Sequence, residues 1–86
     1  MKWTLTEIID KDCKEPVYYN SKKAAFEAMC DRVSWLTGIP AEDIAKECEE
    51  QIIWTVDISN MWAVVGKTFA WIKGDTQYDW DIREVA

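Results

Sequence analysis

The chain has 86 residues, 49% hydrophobic and 30% charged, which is enough for one hydrophobic core and too few for two conventional domains. A net charge of −6 opposes direct nucleic-acid binding, which sets Lys and Arg against phosphates, and the complete lack of histidine removes the commonest general base and the commonest zinc ligand. No segment is apolar for long enough to cross a membrane, and the first residues lack the continuous apolar run of a secretory signal.

In chain order, Lys2 to Asp10 alternates at Trp3, Leu5 and Ile9 and predicts a strand, with Ile8 out of phase as the mark of a bulge. Asp12 to Glu15 is turn-like, and Pro16-Val17-Tyr18-Tyr19 is a short edge strand that completes a hairpin. Ser21 is placed to cap a helix over Lys22 to Leu36, whose apolar positions are Phe26, Met29, Val33 and Leu36. Gly38 supplies the left-handed residue that stops it, and Pro40 opens a second, acidic helix to about Glu50 with Ile44 and Cys48 on its narrow apolar face. From Ile52 the period changes to two, with turns at Ser59-Asn60, Gly66-Lys67 and residues 73–77, so a four-strand meander follows. The expectation is a single α+β domain over residues 1–86, an antiparallel sheet with two helices and the first helix on one face.

With two-residue loops at Ser59-Asn60 and Gly66-Lys67 and a five-residue loop at 73–77, counting gives the register. Val56 is then opposite Ala63, Trp54 opposite Val65, Val64 opposite Phe69, Trp62 opposite Trp71 and Ala70 opposite Trp80. One face carries Trp54, Val56, Ala63, Val65, Ala70, Ile72, Trp80 and Ile82 and is expected to lie under the first helix. The other carries Trp62, Val64, Phe69 and Trp71 bordered by Asp57, Asp79 and Asp81, an aromatic island with an acidic rim of the kind found at interface hot spots. Most of the six tryptophans are expected in the core, where each hides about 150–250 Å².

Catalytic constellations are absent from the sequence. Cys13, Cys30 and Cys48 show no metal or redox spacing and predict a reducing, cytoplasmic setting, with Cys30 and Cys48 as small buried hydrophobes on the helices. The three glycines, Gly38, Gly66 and Gly74, form no phosphate loop. Asp57, Asp79 and Asp81 are the one carboxylate group on a shared face that hard cations could use, and a solvated strand face explains them better. Residues 33–86 hold ten acids against four bases, so the charge excess lies wholly there. Glu42, Glu47 and Glu49 on the second helix belong to its densest cluster and suit a basic partner.

Tyr18-Tyr19-Asn20-Ser21-Lys22-Lys23-Ala24-Ala25-Phe26, a short strand running through a polar cap into an amphipathic helix, resembles a module of small phage and prophage proteins. In size and acidity the chain is similar in general character to anti-CRISPR and other anti-defence inhibitors. That resemblance implies an inhibitor of a host defence protein and transfers no site residue, since those proteins share no motif.

The sequence therefore predicts a non-enzymatic protein-binding module without cofactor or metal. Its partner surface comprises Trp62, Val64, Phe69, Trp71, Asp57, Asp79 and Asp81, with Glu42, Glu47 and Glu49, and its partner is a protein, of which a basic nucleic-acid-binding protein is one form. The alternatives are a homodimer closed through the same aromatic face and a carboxylate metal-binding protein.

Overall fold

A computed structural model describes residues 2–85, over which two helices pack on one face of a seven-stranded antiparallel sheet. The strands are β1 (Lys2–Ile9), β2 (Asp12–Cys13), β3 (Val17–Tyr19), β4 (Trp54–Ile58), β5 (Met61–Val65), β6 (Phe69–Lys73) and β7 (Tyr78–Val85); α1 (Lys22–Thr37) and α2 (Ala41–Glu50) lie between β3 and β4. Across the sheet the order is β2, β1, β7, β6, β5, β4, and β3 pairs with β1 on the same side as β2. The α+β architecture, the N-terminal strands and the C-terminal meander agree with expectation.

The first and last strands join the two halves. β1 and β7 pair without a break from Lys2 opposite Val85 to Ile9 opposite Tyr78, so no bulge occurs at Ile8. The irregularity sits on the facing side instead. Cys13 lies opposite Ile8 and Val17 opposite Leu5, so residues 14–16 face only Thr6 and Glu7, and Pro16, which has no N–H to donate, falls within the extra length. The turn also precedes the expected Asp12–Glu15: Asp10 and Lys11 both take positive φ, 49° and 71°, between Ile9 and Asp12. Asp10 then fastens this hairpin to the β6–β7 loop, its Oδ1 accepting from the Gln77 N–H at 2.8 Å and its own N–H donating to the Gln77 carbonyl at 2.8 Å.

Ser21 caps α1, accepting the Ala24 N–H at 3.1 Å, and Gly38, at φ 81°, ends the helix by donating its N–H to the Ser34 carbonyl at 2.8 Å. In the meander the Ser59-Asn60 loop holds Ile58 opposite Met61, and the five-residue loop holds Ile72 opposite Tyr78, as counted. The middle turn differs. Its two loop residues are Lys67-Thr68, Gly66 donates its N–H to the Phe69 carbonyl at 2.8 Å, and Val65 stands opposite Ala70. Val64 therefore faces Trp71, and Trp62 faces Lys73. The cause is steric. A Cβ on Gly66 would lie 2.4 Å from the Phe69 ring, so glycine is used as the partner over which Phe69 folds, not as a turn residue. Because the change in register is two residues, each side chain keeps its predicted face.

The core lies between helices and sheet. Ala25, Met29 and Val33 of α1 and Ile44 and Cys48 of α2 meet Leu5, Ala63, Val65, Ala70, Ile72, Trp80 and Ile82, all buried. The tryptophans depart from expectation. Trp80 is fully buried and Trp3 and Trp54 flank the core, but Trp62 is 49% and Trp35 76% exposed. Trp35 follows the buried Val33 by two positions, about 200° around the helix, so it points away from the sheet, with the Arg32 guanidinium 5.5 Å from its ring centre. Ile52 and Ile53, expected to begin the first meander strand, precede it and are exposed.

Candidate functional site

Both helices occupy the face that carries Leu5, Val65 and Ile82, so the opposite face has no helix over it among the described residues. Three cross-strand rows build that open face. Asp57, Trp62 and Lys73 form one; Thr55, Val64, Trp71, Asp79 and Ile8 form the next; Gly66, Phe69, Asp81 and Thr6 form the third. Trp62 and Trp71 are diagonal neighbours whose rings meet edge to face, 5.2 Å between centroids at 81°. Val64 is only 8% exposed although no helix among the described residues lies over it, and its cross-strand neighbours are Thr55 and Trp71. The sequence-predicted group Trp62, Val64, Phe69 and Trp71 is thus brought together.

The rim is less uniformly acidic than predicted. Lys73, expected in a loop, ends β6 and places its ammonium 5.0 Å from the Trp71 ring centre, a cation–π contact on the island itself. Asp81 is ion-paired with Arg83, and Asp79 accepts a hydrogen bond from the Gln77 side chain at 3.2 Å. Asp57 is exposed on the outermost strand. It lies three strand spacings, about 14 Å, from Asp79, so the three aspartates do not converge as a ligand set. Among the described residues no group of three or more metal-ligating side chains is assembled.

Glu42, Glu47 and Glu49 are elsewhere. They sit on α2, in the layer behind the sheet, where Glu42 and Glu49 edge a groove of about 760 Å³ floored by Phe26, Cys30, Ala45 and Cys48, and Glu47 accepts from the Gln51 side chain at 2.8 Å. The predicted partner-binding residues therefore divide between two opposite sides of the molecule. Burial pushes the Cys30 thiol up to about 12 and raises that of Cys48, so neither is a nucleophile at neutral pH.

β1 adds to the open face what the sequence did not reveal. Thr4, Thr6 and Ile8 share it, with Tyr18 of β3 opposite Thr4. The available signal was the second half of the alternation in β1: once Trp3, Leu5 and Ile9 face the core, Thr4, Thr6 and Ile8 face the other way.

Comparisons with protein-family models, curated proteins and solved structures return no match for this chain. No helix among the described residues is long and apolar enough to cross a membrane.

Proposed function

We propose that this chain is a non-enzymatic protein-binding module whose contact surface is the open sheet face. The observation that carries this reading is Trp62, 49% exposed and edge-on to Trp71 on a sheet face that no helix among the described residues covers. Large aromatic side chains held rigid by cross-strand packing lose little entropy on binding, and a polar border orients the partner. Asp57, Asp79 and Asp81, with the net charge of −6, favour a partner with basic groups opposite them, a nucleic-acid-binding protein being one class that carries such groups. In that form the module acts as an inhibitor by occupying the partner's basic surface. Three free cysteines, two of them buried, fit a reducing, cytoplasmic setting.

The test is the double variant Trp62→Ala/Trp71→Ala, compared with the parent for protein capture after circular dichroism has shown both folded. Loss of specific capture supports the face as the contact surface. Equal capture by the two contradicts it.

A further inference from the structure

The two edges of the sheet are built differently. On one side β2 and β3 are two and three residues long, interrupted by the extra length around Pro16, with an Asp12–Lys14 ion pair beside them. These are the features that discourage another strand from adding. The other edge is β4, five unbroken residues, Trp54-Thr55-Val56-Asp57-Ile58, without proline, lysine or bulge, paired on one side with β5 and on the other with no strand among the described residues.

We infer that β4 pairs with β4 of a second copy of this chain, antiparallel and with Val56 on the two-fold axis, to make one continuous sheet through the dimer. Backbone geometry sets the register. The residues flanking a two-residue loop exchange hydrogen bonds, so Ile58, and by alternation Val56 and Trp54, bond to β5, which turns the backbone groups of Thr55 and Asp57 outward. Two such strands related about Val56 place Thr55 opposite Asp57 and Asp57 opposite Thr55, each pair able to exchange both backbone bonds.

Side-chain chemistry selects the occupant. An added strand must bring apolar groups against Trp54, Val56 and Ile58, all only half-buried on the helix side, and no carboxylate against Asp57. β4 itself meets both conditions in this register: Trp54 meets Ile58, Val56 meets Val56, and the Asp57 carboxylate meets the Thr55 hydroxyl. Centring on Asp57 would set two carboxylates face to face. Ile52 and Ile53, 88% and 49% exposed just before β4, come to lie opposite the partner's Asn60 and Ser59. The symmetry closes the pair, so one edge per chain is used and no fibre propagates. The two aromatic islands then lie on the same face of a single sheet, their β5 strands roughly 14 Å apart across two copies of β4.

The full chain in sedimentation equilibrium is expected as a dimer. Thr55→Asp changes an exposed side chain and sets like charges opposite each other twice by symmetry, which is expected to weaken dimerisation roughly tenfold or more while circular dichroism stays native. Thr55→Asp combined with Asp57→Lys opposes unlike charges in the same register and is expected to restore the dimer. A parent chain that stays monomeric overturns the inference, as does a dimer indifferent to Thr55→Asp or a double variant that fails to recover it. A dimer lost instead on Trp62→Ala/Trp71→Ala overturns it in favour of face-to-face association.

Discussion

Trp80 of β7 donates its indole N–H to the carboxylate of Glu7, its cross-strand partner on β1, at 2.8 Å, and the same carboxylate receives Arg32 of α1 at 2.7 Å and 3.3 Å. One acidic side chain on the core face thus ties the first strand, the last strand and the first helix. Burial acts to raise the Glu7 pKa, but the hydrogen bonds from Arg32 and Trp80, with the charges of Arg32 and Lys14, outweigh it and hold the carboxyl below its ordinary 4.5.

Glu7→Ala leaves the buried indole N–H without an acceptor, while Arg32, whose side chain stays 39% exposed, recovers water. The expected loss is about 1–3 kcal/mol, read as a thermal midpoint lowered by about 4–8 °C per kcal/mol. Glu7→Gln keeps an acceptor and removes the charge. Because the folded carboxyl titrates lower than the unfolded one, the charge contribution is complete above pH 4.5 and lost as pH falls through the depressed value. The gap between parent and Glu7→Gln midpoints should therefore be level above that pH and narrow below it.

Gly66→Ala forces the Phe69 ring off its glycine partner, since the new methyl would lie 2.4 Å from it. The expected cost is about 1 kcal/mol in chemical denaturation, toward the low end for overpacking because a side chain yields and not backbone. In a double-mutant cycle, Gly66→Ala should cost little once Phe69 is alanine. Additive effects would show that the two residues are not coupled.

Alkylation by iodoacetamide at neutral pH should modify Cys13 alone in the native chain and all three cysteines in denaturant, because Cys30 and Cys48 are about 1% exposed and burial holds both thiols protonated. Mass spectrometry of peptides checks this directly.

Reversing charge at Glu42, Glu47 and Glu49 should leave the lifetime of a complex formed through the open face unchanged and slow only its formation, since α2 lies behind the sheet and acts at long range. Stopped-flow association over a salt series separates the two rates.

Much of the fold was legible because local signals agreed. Ser21 and Gly38 bracket α1, and period-two alternation from residue 54 onward defines the meander with its two faces. The β5–β6 register was not legible, since Gly66 reads as a turn residue and only the position of the Phe69 ring shows why a glycine stands in the strand pair. Nor was the β1–β7 pairing, which joins residues 69 to 83 apart and leaves no periodic trace. That pairing decides the extent of the candidate surface: Trp62, Val64, Phe69 and Trp71 could be grouped from hairpin counting, while Thr6 and Ile8 enter the surface only through β7. The acidic residues of α2 were grouped with the aromatics by composition, and the layering separates them.

The most direct test of the open face as a partner-binding surface is quantitative capture of proteins from lysate by the parent chain and by Trp62→Ala/Trp71→Ala, both verified as folded. A partner retained by the parent, depleted at least about tenfold with the double variant and released by rising salt is the predicted result. The same proteins retained equally by both chains would contradict it.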